Sequence, residues 1–268
     1  MMRFVYVLIL IACWCGKMTA QSTAYVFQFG PTIGVQKWDN SFEREPLFKY
    51  HGALSIESID NEDDKNSLFM QIGYHIKGSA NRFRYFNINS GAPSGSFTEE
   101  FRFNNISLVL GAKQKRPFGA SGNSRFFYGG GLRIDYTLST NIDNLSNNSP
   151  TLAIFYPSVG FMNRWMAGFT VTTGIEFKLN ELIGGELKLS IQPDVTLQYN
   201  QPAIGNVIDP YNPGNVITIS ERRIRNAAVE LAHAAGGEGY VKALETGLVL
   251  FKVFRHSAHP AHHTGGHL

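Results

Sequence analysis

Three groups of residues in this chain have types and spacings that could do chemistry. The first is the glycine run Gly129-Gly130-Gly131 within RFFYGGGLRIDYTL. Consecutive glycines can cradle a phosphate, but this run lacks the GxxxxGK[ST] spacing and does not open a helix. Glycine here is expected to permit bending and close packing of a narrow wall instead. The second group is a set of charges and histidines at alternate positions: Lys49, His51, Glu57, His75, Lys77, Arg133, Asp135, Glu176, Lys178, Glu186, Lys188, Asp194, Glu230 and Lys252. The third is the ending RHSAHPAHHTGGHL, with His256, His259, His262, His263 and His267. Its histidines could take up Zn²⁺ adventitiously, but nothing orders them into a ligand set, and a disordered tail over 255–268 is expected.

A catalytic reading of these residues is poor. Ser79 lies four positions from His75, which along a strand is ~13 Å, too far for a nucleophile and its base. No GxSxG sequence occurs. The expectation is no enzyme, with no catalytic, cofactor-binding or metal residue. What mixed charges can do is neutralise one another: Lys49, His51, His75, Lys77, Arg133, Asp135, Glu176, Lys188 and Asp194 are the candidate site, a network of ion pairs inside a closed wall. If the turn at 60–66 is centred on Asp63, residues whose numbers sum to the same value face each other. That pairs His51 with His75 and Lys49 with Lys77. Such a like-charged cluster could bind an anion or open as pH falls through the histidine range; an ordinary paired network is the plainer alternative.

The elements that must position these residues are strands. Period-two alternation recurs along the chain, with large apolar side chains on one face and small or polar ones on the other. Phe27, Phe29, Ile33 and Val35 oppose Gln28, Gly30, Thr32, Gly34 and Gln36. The same contrast runs through 48–57, 68–79, 105–113, 126–138, 165–179 and 186–199. The mostly long connections at 39–46, 81–100, 140–157 and 200–223 alternate with mostly shorter ones at 60–66, 113–124 and 180–185, which gathers the long ones at one end, as in outer-membrane barrels.

Alternation alone fits a soluble barrel as well, with the apolar face inside. Three features favour the inverted arrangement. The polar face is rich in Gly, Ser, Thr and Gln, which suit a narrow lumen better than a solvated surface. Aromatics gather near strand ends: Tyr25, Phe27, Phe126, Tyr128, Phe177 and Phe251 at one, Phe48, Tyr50, Tyr136, Trp165 and Tyr199 at the other. The runs also exceed the ~5–6 residues of a globular strand. In a small barrel the interior is just filled by side chains, so buried charges there must pair.

The N-terminus agrees with export. MMRFVYVLILIACWCGKMTAQS has one early basic residue, an apolar run and small residues ending at Ala20, a secretory signal over 1–20. The 4–15 run is short of the ~20 residues of a spanning helix. Leu10-Ile11-Ala12-Cys13 resembles a lipoprotein box, so processing at Cys13 stays open as an alternative. Both cysteines, Cys13 and Cys15, fall in this segment, leaving the mature chain without disulfides. The formal net charge is +3, and Arg3 and Lys17 belong to the signal, so the mature chain is nearly neutral and carries no nucleic-acid footprint. Aromatics make up 13% and charged residues 17%, against roughly 25% charged in an ordinary soluble domain.

The runs GYHIKGSA (73–80), FNNISLVLGAKQK (103–115), YGGGLRIDYTLSTN (128–141) and FKLNELIGGELKLSIQPDVTLQY (177–199) resemble the outer membrane protein beta-barrel domain family, small porin-like proteins of Gram-negative bacteria. The resemblance covers about 24–254. It implies an all-β, eight-stranded antiparallel up-and-down transmembrane barrel in the outer membrane, without an assigned biochemical role. The barrel is placed at 21–254. NAAVELA (226–232) and GLVLFKVF (247–254) together read as one closing strand, interrupted irregularly over 233–246. Expected partners are outer-membrane lipid, the barrel-assembly machinery and an extracellular ligand or protein at loops 81–103, 140–157 and 200–223. The functional expectation is a plugged barrel acting through its outer loops in envelope structure, adhesion or partner binding. A narrow porin-like channel for small solutes is the alternative, and a soluble periplasmic ligand-binding barrel the next.

Overall fold

The computed structural model describes residues 22–39, 44–59, 65–119, 123–142, 144, 157–179 and 183–238. The expected signal segment 1–20, the stretch 239–254 with Lys252, the expected tail 255–268 and most of the 140–157 connection lie outside these residues.

Eleven strands are present among them: β1 (Ser22–Trp38), β2 (Glu45–Ile59), β3 (Asn66–Phe86), β4 (Pro93–Phe118), β5 (Ser124–Thr140), β6 (Trp165–Lys178), β7 (Gly184–Pro193), β8 (Tyr199–Gln201), β9 (Ile204–Ile208), β10 (Val216–Ile219) and β11 (Arg222–Glu238). Neighbours pair antiparallel from β1 through β7, β7 pairs with β11, and β11 pairs back onto β1 from Ala24↔Glu238 to Trp38↔Ile224. The strands β1–β7 and β11 therefore form a closed eight-stranded antiparallel up-and-down barrel, and β8 extends the line of β7 against β11. Closure satisfies the backbone of every wall strand and leaves no edge along the wall.

The two faces of the wall are inverted relative to a soluble protein. Leu132, Phe48 and Trp165 are exposed to 65%, 68% and 68%, whereas Lys77, Arg133 and Asp135 are exposed to 0%, 1% and 1%. The sequence alternation thus places its apolar set outside and its polar set inside on every wall strand. Both ends of the ring, Ser22 and Glu238, lie with the connections 60–65, 119–123 and 179–183, and the longer connections gather at the opposite end.

The glycine run is part of this wall. Gly129 and Gly131 face inward, and Gly130 faces outward. A Cβ on Gly131 would stand 2.6 Å from the Leu110 carbonyl oxygen and 3.0 Å from Gly111 Cα, and one on Gly129 would strike the Ala112 carbonyl. The coiling of β4 and β5 around a narrow lumen leaves no room there. Gly131→Val is expected to cost about 1–3 kcal/mol through overpacking. Gly130→Val, with the Thr170 carbonyl oxygen at 3.3 Å, should cost less. Urea midpoints of the refolded variants check the order.

Four sequence expectations are corrected. The stretch 81–103 is not a loop: β3 and β4 run on past the wall as a two-stranded ribbon whose turn occupies 87–92. The Asn87 N–H donates to the Ala92 carbonyl at 2.8 Å, and Gly91 adopts φ +66. The 200–223 connection holds the β9–β10 hairpin, Val216↔Ile208 to Ile219↔Ile204. The strand expected to run through 199 ends at Pro193, so Tyr199 is turned inward and fully buried instead of joining the outer aromatics. The closing strand is regular through Glu238, so no interruption begins at 233; its Ala and Gly content reflects tight packing, since a Cβ on Gly236 would meet the Tyr25 carbonyl oxygen at 2.6 Å.

Candidate functional site: the charged lumen

The inward side chains stack in layers that follow the order of residues along β3. At the short-turn end, Lys113 Nζ donates to a Glu57 carboxylate oxygen and lies 3.2 Å from Glu186 Oε2. Lys115 Nζ lies 2.9 Å from Glu176 Oε1 and 3.5 Å from Glu57 Oε2. Glu57, Glu176 and Glu186 bring carboxylate oxygens within 4.8 Å of one another, a donor set that suits a divalent cation in isolation. Here two ammonium groups bind the same carboxylates and supply the positive charge.

Two buried aromatics, Phe69 and Phe127, come next. Lys113 Nζ stands 4.8 Å from the Phe127 ring centroid, and Lys188 Nζ stands 5.9 Å from that of Phe69. Lys188 donates to Gln28 Oε1 at 3.0 Å and Gln71 Oε1 at 2.9 Å.

The middle layer holds the densest network. Lys77 Nζ donates to Asp135 Oδ2 and to Asp194 Oδ1, each at 2.6 Å. Arg133 reaches the same carboxylates, with Nε 3.1 Å from Asp135 Oδ2 and Nη2 donating to Asp194 Oδ1, and Nη1 donates to Gln192 Oε1 at 2.9 Å. Gln192 in turn donates to Glu230. His75 Nδ1 lies 3.0 Å from Glu230 Oε1 and its Nε2 3.7 Å from Asp135 Oδ2; His51 Nε2 lies 3.9 Å from Glu230 Oε2. Two cations on two aspartates, with both histidines against carboxylates, make a compensated cluster, as buried charges require.

An amide layer follows. Ser79 Oγ donates to Gln36 Oε1 at 2.6 Å, Gln36 to Asn226 Oδ1 at 2.7 Å, Asn226 to Gln198 Oε1 at 2.9 Å, and Gln198 to Thr137 Oγ1 at 3.2 Å. Ser79, the hydroxyl weighed as a nucleophile, is thus a link in this chain. Above it Phe101, Phe103 and Ile142 form a buried apolar lid with Trp38, Val159 and Met162 packed against it. Arg44, in the β1–β2 connection, lies 3.7 Å above the Trp38 ring and 4.3 Å from that of Phe101. Burial there pushes its guanidinium down to about 10, against the opposing pull of Glu99.

Of the expected site residues, the structure unites His51, His75, Lys77, Arg133, Asp135 and Asp194 in one layer and places Lys188 and Glu176 below it. The register prediction His51↔His75 is met, and the neighbour the two rings share is the Glu230 carboxylate. Lys49 does not face Lys77. A register shift between Pro46 and His51 moves it toward the rim, where Lys49 Nζ lies 2.9 Å from Glu100 Oε2. Among the residues outside the expected set, Glu57, Glu186 and Glu230 stand on the inward face that alternation had already assigned. Lys115 was missed because β4 was expected to end at 113. Continuing the odd positions two residues further would have found it.

No family model matches this chain, and no curated protein matches it. Solved structures similar to it include Neisserial surface protein A, at 12% identity and TM-score 0.38 over 80% of this chain and 98% of that one. The outer membrane protein OprG from Pseudomonas aeruginosa shows 9% identity and TM-score 0.42 over 82% and 98% of the two chains. The outer membrane protease OmpT from Escherichia coli shows 8% identity and TM-score 0.38 over 82% and 99%. Likeness at this level transfers no activity; the barrel stands on the strand pairing described above.

Proposed function

We propose that this chain is an outer-membrane barrel of a Gram-negative bacterium, closed along its lumen and non-catalytic, that acts through the structures at its long-connection end in envelope structure, adhesion or partner binding. The observation that carries the closed barrel is the stack from Glu57 to Phe101: ion pairs, rings, amides and an apolar lid succeed one another along the lumen. The apolar outer wall supports the membrane, because water is a poor solvent for such a surface and hydrocarbon a good one. On this reading 1–20 directs export and the barrel-assembly machinery inserts the chain.

The surface available for a partner is the β3–β4 ribbon. Its side chains from 82 to 98 are exposed on both faces. Phe83 and Phe97 stack with centroids 6.4 Å apart on one face, beside Tyr85, while Arg82 and Arg84 occupy the other. An isolated two-stranded ribbon is marginally stable in water, so contact with a partner would order it further.

Planar-bilayer recording on the refolded chain tests the closed lumen. No unitary conductance steps are expected. Reproducible steps that change size in an Arg133→Ala variant would move the function to a narrow channel.

A further inference from the structure

On the outer face of the wall, β1 presents Phe27, Phe29, Ile33 and Val35, and β11 presents Leu231, Val229 and Ala227 in the opposite direction. On both strands the next outward position toward the long-connection end is a cation: Lys37 on β1 and Arg225 on β11. These two are register partners, Lys37↔Arg225, and both are exposed. Like charges directly opposite each other destabilise a sheet. Among the described residues neither has an ion-pair partner. Of the acids nearby, Glu221 Oε2 lies 3.1 Å from Arg223 Nη2, and Asp39 stands one tier further out, where its backbone N–H donates to the Arg223 carbonyl at 3.1 Å. Arg44, from the β1–β2 connection beside Lys37, is turned into the lid.

We infer that Lys37 and Arg225 together bind the phosphate of a phosphorylated lipid of the outer leaflet, an inference that rests on the membrane reading above. The pair sits one step past the apolar stripe, where the headgroups of that leaflet lie. Long aliphatic stems let both head groups snorkel into the headgroup plane while their carbons stay against Val35 and Ala227. A phosphate offers several acceptor oxygens, so a guanidinium can bind two of them and an ammonium a third. The bound anion converts a repulsive pair into two attractive contacts, and the acyl chains of the same molecule lie along the apolar wall below.

The test uses the full chain refolded in detergent, in wild-type form and as the Lys37→Gln/Arg225→Gln variant. Each is incubated with lipid A bearing its phosphates, with the same lipid after phosphate removal, and with inorganic phosphate. Lipid binding is read by native mass spectrometry, and the unfolding midpoint by loss of heat-modifiable gel mobility. Wild type should bind phosphorylated lipid A about tenfold more tightly than the double variant does, and its midpoint should rise only with that ligand. Without lipid the order reverses, and the double variant should melt higher because the repulsion is gone. Equal binding by the two proteins, or equal binding of the dephosphorylated lipid, overturns the inference. An equal rise with inorganic phosphate overturns the lipid as its source. Because the chain is assayed in detergent, failure on these counts sinks this inference alone; the membrane reading falls only if the same chain also fails to enter lipid vesicles.

Discussion

Lys77→Met is expected to destabilise the barrel by about 3–5 kcal/mol, the cost of breaking a buried ion pair from one side. Lys77 is fully buried, and its ammonium is shared by Asp135 and Asp194. Methionine preserves most of the volume but removes the charge, so the two buried aspartates keep Arg133 as their shared cation, with His75 3.7 Å from Asp135. The loss should appear as a lower urea midpoint with an unchanged slope. Adding Asp194→Asn to Lys77→Met should recover part of it, because one uncompensated carboxylate is removed as well. The coupling between the two sites is then measured by the double-mutant cycle. A loss below about 1 kcal/mol, the range of exposed ion pairs, would mean that the middle layer is solvated. That result would favour a water-filled passage over the closed lumen.

Leu132→Arg carries the second large effect. Leu132 is the central member of the outward set Phe126, Tyr128, Gly130, Leu132, Ile134, Tyr136 and Leu138 on β5, and it is 65% exposed. In a bilayer that position lies at mid-depth, where an arginine costs about 2–4 kcal/mol, falling to about 0–1 near the interfaces. Thr140→Arg, at the outer end of the same strand, is therefore expected to be nearly neutral. The comparison is made by urea titration of both variants in lipid vesicles. If the apolar face met water or a protein partner instead of lipid, this dependence on depth would vanish.

The faces of the wall were legible in the sequence because a strand has a side-chain period of two. Once Phe27, Phe29 and Val35 share a face, Gln28, Thr32 and Gln36 must share the other. The His51↔His75 register was legible too, since a tight turn fixes which residues meet across a hairpin. The same arithmetic failed at Lys49, two residues farther from the turn, because a register shift between Pro46 and His51 changes the count, and Pro46 is the only residue of EPLFKYH that hints at it. The ribbon at 81–98 read as a loop because both its faces are exposed, so no contrast between inside and outside marks it as a strand. Pairings across the lumen were the least accessible. Lys77 and Asp194 are 117 residues apart, and the residues that meet there depend on how the whole ring closes. Alternation assigns each side chain to the lumen but leaves its partner open.

On the membrane reading, the apolar wall faces lipid while the polar network and its lid stay within. Two tryptophans report on the two sides. Trp165 projects outward and is 68% exposed, and Trp38 packs against the lid beside Phe101. The direct measurement is quenching of each tryptophan by lipids brominated along their acyl chains, on a chain beginning at Gln21 and refolded into vesicles, with Trp38→Phe and Trp165→Phe variants isolating the two signals. The expected result is strong quenching of Trp165, greatest for bromines near the headgroup, and little quenching of Trp38. Equal and weak quenching of both, at every bromine depth, would contradict a barrel embedded in lipid.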